Sequence, residues 1–229
     1  MNHTHEDVLA IIHRLFPETE VPMIMQILGR YGTEASEPER DRVQRAILML
    51  SEGRRSKLQH YVEAAKRDYR DVIYWSESAA QLAASVLEVL RTNWSWTLSD
   101  ACRVLAQNSF GNVLVELSDA SIWRVCPEDL AASRMARSAA KIAELRTNQE
   151  FQTDRTVDGW VEAAETTLGP LHEGQYYGFK ICPVLGGAYD VENMAIKSIL
   201  EWLAVSGDVG RKVQELPSGT QIRLEVRDP

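Results

Sequence analysis

Residues 110–125 read FGNVLVELSDASIWRV, and this stretch decides the fold class. It contains two β-rich runs, 110–117 and 121–125, on either side of the polar tripeptide Ser-Asp-Ala. Runs of β-branched and apolar residues that flank a short polar turn are typical of a hairpin. The sequence therefore predicts a sheet in this part of the chain.

The residues after the hairpin alternate between helical and strand patterns. The predicted helices cover 131–145, 157–168 and 201–216, with Gly207 as an interruption of the last one. The predicted strands cover 176–181, 194–199 and 221–226. Such a mixture predicts an α+β domain with a mainly antiparallel sheet.

The residues before the hairpin have a different pattern. Residues 1–92 carry apolar side chains at helical spacing, as in Val8, Ile11, Ile12 and Leu15. The sequence therefore predicts an all-helical module over residues 1–85, followed by the α+β domain over residues 86–229. The junction, within 76–85, is itself helical in character.

The composition is that of a globular protein with an acidic surface. The chain has 229 residues, of which 45% are hydrophobic and 25% charged, and its formal net charge is -8. These values exclude a disordered or low-complexity chain. Residues 1–85 hold 11 basic and 13 acidic residues, a balance of -2, and the remainder has a balance of -6. We therefore expect a basic partner and no direct binding of nucleic acid. The basic cluster Arg54, Arg55 and Lys57 is interpreted as a solvated surface.

Two further features concern the compartment. No apolar run approaches the ~20 residues that cross a bilayer, so no membrane association is expected. The cysteines Cys102, Cys126 and Cys182 are widely spaced in apolar surroundings, which favours reduced core thiols. Cys102 is expected on a helix. Both features predict a cytoplasmic protein.

The sequence carries no recognisable catalytic or metal-binding motif. The five histidines lack metal-ligand spacing, and no G-x-S-x-G pattern occurs. We therefore expect no catalytic residue, no metal, no cofactor and no small-molecule substrate. Gly186 and Gly187 predict a tight turn with positive φ at one glycine. Asp190 and Glu192 then form an acidic site, or Asn193 caps the next segment, and the sequence alone leaves both possible.

The C-terminal part contains an L-G-G-x-Y turn, an Asn before an apolar run, an S-G helix and an L-P-x-G turn. These features are formed by Leu185, Gly186, Gly187, Tyr189, Asn193, Ser206, Gly207, Val213, Leu216, Pro217 and Gly219. In their order and spacing this part resembles the C-terminal domain of the Tdi family, immunity proteins of bacterial type VI secretion systems.

An upstream FGN-strand-turn-strand element extends the resemblance to about residues 94–227. It is carried by Phe110, Gly111, Asn112, Trp123, Pro127 and Glu128. The sequence departs from the family pattern at Ala120, where a turn glycine is usual, at Gly210, where alanine is usual, and at Ser218, where aspartate is usual. The first half is similar instead to a small helical bacterial module of unknown function, through residues 31–53 and 64–77.

The resemblance implies an immunity protein that neutralises a cognate secreted toxin by stoichiometric inhibition, and a nuclease as that toxin. The partner-binding residues that follow are Trp123, Glu128, Tyr189, Asp190 and Glu192. Trp123 could equally point into the core. One alternative is a non-catalytic adaptor whose helical half docks a partner protein. Another is an enzyme that uses the Gly186–Asn193 turn.

Overall fold

A computed structural model describes residues 4–98, 100–138, 158–217 and 220–221 of the chain. The contacts among these residues divide them into two compact units. The first is built mainly from residues 4–85, and the second from residues 86–119, 123–134 and those from 158 onward; the short segments 120–122 and 135–138 are grouped with the first. The predicted domains 1–85 and 86–229 stay a prediction, since one helix, Tyr69–Asn93, runs through residues 85 and 86.

The first unit is helical. It contains α1 (His5–Leu15), α2 (Val21–Leu28), α3 (Arg40–Ser51), α4 (Arg55–Arg67) and the first part of α5 (Tyr69–Asn93). Thr4 begins α1 with a capping box, because its hydroxyl accepts from the Asp7 N–H and the Asp7 carboxylate accepts from the Thr4 N–H. The apolar side chains of α1 to α4 form one continuous core that includes Val8, Ile12 and Ile47.

The second unit combines helices with two sheets. Its helices are α6 (Ser95–Leu98), α7 (Asp158–Leu168) and α8 (Ile199–Val213). The strands β1 (Ala101–Gln107), β2 (Val113–Leu117), β3 (Ile122–Cys126) and β4 (Ala131–Ala136) lie in the order β1-β2-β3-β4, and β1 pairs antiparallel with β2. β5 (Gln175–Phe179) and β6 (Met194–Ser198) form an antiparallel pair. A helical region followed by a mixed α+β region confirms the predicted fold class.

Two tryptophans fix α8 within the second unit. The indole Nε1 of buried Trp94 donates to the Leu203 carbonyl at 2.8 Å, and that of Trp96 donates to the Gly207 carbonyl at 3.1 Å. A Cβ on Gly207 would lie 2.7 Å from the Asn93 carbonyl and from the Trp94 ring. Gly207 therefore allows a close approach to the tryptophans. The sequence predicted an interruption of the helix at Gly207, and this prediction is wrong, because α8 continues through it.

The structure corrects two further predictions. Residues 131–136, predicted as helix, form β4, because pairing within the sheet overrides the helix propensity of the alanines. Cys102, predicted as a buried residue on a helix, is exposed on β1. The predicted strand 221–226 lies outside the described residues from 222 onward. Within the described ranges, no helix has both the length and the apolar character needed to cross a bilayer.

Candidate partner-binding site

Two turns of the second unit pack against each other although about 55 residues separate them in the chain. The 3-10 turn Pro127–Asp129 follows β3, and the 3-10 turn Pro183–Leu185 lies beyond β5. Each turn begins with a proline whose fixed φ suits the first position of a helical turn. We call the exposed side chains that lie in and beside these turns the docking surface: Asp129, Ile181, Val184, Tyr189, Asp190 and Glu192.

The two glycines of the docking surface are required for different reasons. Gly186 has a φ of 94°, in the left-handed region that favours glycine. Gly187 has no positive φ, but a Cβ there would collide with the carbonyl oxygen of Ile181. The predicted tight turn with positive φ at one glycine is therefore confirmed.

Asn193 holds this turn closed through its side chain. Its Oδ1 accepts from the Ile181 N–H at 3.1 Å, and its Nδ2 donates to the carbonyls of Ile181 at 2.9 Å and Ala188 at 2.8 Å. Asp190 caps the 3-10 turn Val191–Asn193, because its Oδ1 accepts from the Asn193 N–H at 2.7 Å. Of the two alternatives that the sequence left open, Asn193 thus has a local hydrogen-bonding role, although it closes the preceding turn and does not cap the segment after it. The Asp190 side chain remains exposed.

Three large apolar side chains of this turn are exposed to solvent. The exposed fractions are 55% for Ile181, 57% for Val184 and 61% for Tyr189. Grouped exposed apolar residues in an ordered turn are typical of an interaction site, whereas scattered ones are common on any surface. This apolar group is the main reason to place a partner here.

A carboxylate lies beside the exposed ring of Tyr189. The Tyr189 hydroxyl lies 3.5 Å from Oδ1 of Asp129, and the Tyr189 ring meets the Phe179 ring edge-on at 5.3 Å between centroids. Partial burial and the nearby Asp129 carboxylate raise the pKa of Tyr189, so its phenol stays neutral at physiological pH. Lys180 lies at the margin, where its ammonium donates to the Glu192 carbonyl at 2.8 Å.

Two of the predicted partner-binding residues lie deeper than the others. Oε1 of Glu128 accepts from Nδ2 of Asn112 at 2.7 Å, and its Oε2 is buried with no hydrogen-bond partner among the described residues. Burial raises the pKa of Glu128. Trp123 is half-buried, so both of its interpretations stay open.

The FGN motif supports this interior. Gly111 has a φ of 77°, and a Cβ on it would lie 2.6 Å from the Tyr176 ring. A Cβ on Gly178 would lie 2.6 Å from the Tyr176 hydroxyl and 2.7 Å from its ring. Asn112 links two charged groups, since its Oδ1 accepts from Nε of Arg124 at 3.1 Å while its Nδ2 binds Glu128. The motif thus forms the packing and hydrogen bonds beneath the docking surface.

Sequence reasoning missed Asp129, Ile181 and Val184. Asp129 directly follows Glu128, but the approach of residues 127–129 to residues 183–185 is a tertiary contact that spacing does not reveal. Ile181 and Val184 were indistinguishable from core residues, because apolar character alone does not state which side chains are exposed. In the described part of the chain, no three His, Cys, Asp or Glu residues are grouped as a metal site would require.

The region that contains the docking surface has relatives among known families. Residues 137–210 match the family model "T6SS immunity protein Tdi1, C-terminal". The match covers less than half of the chain and confirms the resemblance to the Tdi C-terminal domain. It includes Tyr189, Asp190 and Glu192, whereas Trp123, Glu128 and Asp129 precede it. The matched family is one of immunity proteins of type VI secretion systems.

Comparison with solved structures also finds distant similarity. The chain resembles "Crystal structure of Atu4351 from Agrobacterium tumefaciens" at 18% sequence identity and a TM-score of 0.39. The match covers 53% of this chain and 64% of that one, so the chain spans less than two thirds of that protein. A search of curated proteins found no match.

Proposed function

We propose that this protein binds a cognate secreted toxin in the cytoplasm and neutralises it by stoichiometric inhibition. The toxin is a basic protein, and a nuclease fits best. The observation that carries this proposal is the position of the docking surface, most of which lies within the residues that match the Tdi1 C-terminal model.

The shape and chemistry of the docking surface support a protein partner. Tyr189 supplies a large, rigid ring with a polar tip, and such residues dominate the binding energy of many interfaces. Ile181 and Val184 extend the apolar contact that a partner would cover. The turn is already closed by Asn193, so binding loses little conformational entropy in ordering it.

The charge supports a basic partner. Three exposed carboxylates, those of Asp129, Asp190 and Glu192, belong to the docking surface, and the whole chain carries a net charge of -8. Opposite charge accelerates the encounter of two proteins and disfavours wrong partners. A nuclease has a basic substrate-binding surface that carboxylates can occupy in place of phosphates.

The residues of the docking surface also support a binding role without catalysis. Asp190 is used as a cap, and the apolar side chains beside it are more than half exposed, so they would not enclose a substrate. If the turn were an active site, Asp190→Ala or Glu192→Ala would abolish a measurable turnover. The proposal predicts that these changes alter partner affinity and that no turnover is lost; Asp190→Ala also removes the cap on the Asn193 N–H.

Co-purification from the native host tests this function. The tagged protein is isolated under conditions that express the neighbouring genes, and its partners are identified by mass spectrometry. The partner's toxic activity is then titrated with the purified protein. The proposal predicts a basic, toxin-like partner whose activity is lost at an equimolar ratio. Sub-stoichiometric inactivation would indicate catalysis, and a partner with no toxic activity would favour the adaptor alternative.

A further inference from the structure

The first unit carries a separate exposed apolar surface that is formed by methionines. Met23 on α2 and Met49 on α3 are 36% and 43% exposed. A guanidinium nitrogen of Arg55 lies 3.4 Å from the Met23 sulfur, and one of Arg14 lies 3.6 Å from the Met49 sulfur. The four residues come from four different helices.

The chain path brings these four residues to one end of the helical unit. Arg14 and Met49 lie in the last turns of α1 and α3, whereas Met23 and Arg55 lie in the first turns of α2 and α4. Short connections join α1 to α2 and α3 to α4 at this end, and α1 packs on α3 as α2 packs on α4. We call this patch, defined by Arg14, Met23, Met49 and Arg55, the Arg–Met end.

The charges near the Arg–Met end leave a cation available. Glu52 pairs with Arg54 at 2.6 Å and with Lys57 at 3.2 Å, so two members of the basic cluster are compensated locally. Arg55 is exposed and forms no ion pair with any residue that the structure describes. Glu18, at the margin, is paired with His13 at 2.7 Å.

We propose that the Arg–Met end binds a segment of a partner protein that presents carboxylates beside apolar side chains, as one face of an acidic amphipathic helix does. Methionine is flexible and polarisable and adapts to apolar partners of varied shape. A guanidinium pairs with a carboxylate through two parallel hydrogen bonds. The combination of two methionines with two arginines therefore matches an acidic, apolar segment.

Nucleic acid fits this patch less well. Binding of a single strand requires a line of cations together with aromatic rings on which bases stack. The Arg–Met end offers methionines in place of rings, and the neighbouring Arg54 and Lys57 are occupied by Glu52. The patch also differs from the acidic docking surface of the second unit, so its partner segment has the opposite charge.

The test uses the full chain with 13C-labelled methionine methyl groups, which report on Met23 and Met49 directly. The probes are a helical peptide of leucine and glutamate, its leucine–lysine counterpart and a single-stranded DNA oligonucleotide. At about 0.15 M salt, where surface charge is largely screened beyond ~8 Å, the acidic peptide is expected to shift both methyl signals in a saturable manner. Neither other probe is expected to do so.

A pair of variants on one helix provides the control. Arg55→Glu is expected to weaken binding of the acidic peptide by about tenfold, since it replaces attraction with like-charge repulsion. Arg67→Glu makes the same charge change at an exposed position of α4, about 18 Å further along the helix, and is expected to change affinity by less than about twofold.

Several outcomes would overturn the proposal. They are the absence of saturable shifts, equal responses to the acidic and basic peptides, a response to the oligonucleotide alone, or equal losses in the two variants. Self-association that shifts both methyl signals without any peptide would also contradict it. Arg55 and Arg67 are both exposed, so neither substitution is expected to unfold the protein. Unchanged thermal unfolding of the two variants confirms that folded proteins are being compared.

Discussion

The hydroxyl of Tyr189 lies 3.5 Å from the carboxylate of Asp129, a residue 60 positions earlier in the chain. This approach exists because the turns at 127–129 and 183–185 pack together. It places an exposed aromatic ring beside a carboxylate, the pairing that a basic and partly apolar partner surface would recognise. The docking surface is therefore a product of the tertiary fold and not of any one sequence motif.

Asp129 is expected to contribute mainly to the rate of association. Asp129→Asn removes one negative charge from the docking surface and should lower the association rate constant for a basic toxin, with a weaker dependence on salt. Surface plasmon resonance at two salt concentrations measures both effects. Glu63→Gln, at an exposed position of α4, removes the same charge outside the docking surface and should leave the rate nearly unchanged. Equal effects would show that only net charge matters.

Asn193 is expected to stabilise the turn through both ends of its amide. Asn193→Ala removes three hydrogen bonds and should lower the free energy of unfolding by about 1–2 kcal/mol. Asn193→Asp keeps an acceptor for the Ile181 N–H but places a second carboxylate oxygen against the Ile181 and Ala188 carbonyls, so it should be no more stable than the alanine variant. Urea unfolding compares the two. A near-normal aspartate variant would contradict the donor role.

Gly207 is expected to reject even one methyl group. Although alanine favours a helix by about 1 kcal/mol, the new Cβ of Gly207→Ala would meet Asn93 and Trp94, so a net loss of about 1–2 kcal/mol is expected. Gly159→Ala in α7 is the control, since nothing lies within 4 Å of its Cβ. That variant should be as stable as the native chain or slightly more so. Equal stability of the two variants would refute the close contact.

Glu128 is expected to give a pH-dependent loss of stability. Burial raises the pKa of the Glu128 carboxyl in the folded state. As the pH rises, the unfolded chain therefore loses the carboxyl proton before the folded chain does. The free energy of unfolding falls over this pH range, until the folded-state pKa is passed. Glu128→Gln removes this cost and should be the more stable form at pH 7, whereas the two should be alike below the ordinary glutamate pKa. Chemical denaturation at acidic and neutral pH measures the difference. A less stable glutamine variant at pH 7 would mean that attraction to Arg124 dominates.

Local patterns in the sequence predicted the elements whose contacts are close along the chain. The 110–125 hairpin became β2 and β3, the 201–216 helix became most of α8, and the 186–187 turn has positive φ at Gly186. Turn residues and helical periodicity act over a few residues, so sequence alone suffices for them. Ala120, in place of the usual turn glycine, still adopts a φ of 64°.

Contacts between distant segments were not predictable. The alanines of β4 favour a helix, and only pairing in the sheet makes them a strand. Trp94 and Trp96 pack against α8 because their indoles donate to the carbonyls of Leu203 and Gly207, which lie more than 100 residues later. For the same reason Asp129 was missed as a neighbour of Tyr189.

The affinity of the cognate toxin for two tyrosine variants tests the central claim most directly. Tyr189→Ala removes the exposed ring of the docking surface, and Tyr74→Ala removes a ring that is similarly exposed, 67% against 61%, in the first unit. Isothermal titration should show a loss of at least about 2 kcal/mol of binding free energy for Tyr189→Ala and an unchanged affinity for Tyr74→Ala. Native affinity of the Tyr189→Ala protein, or an equal loss in both variants, would contradict toxin binding at the docking surface.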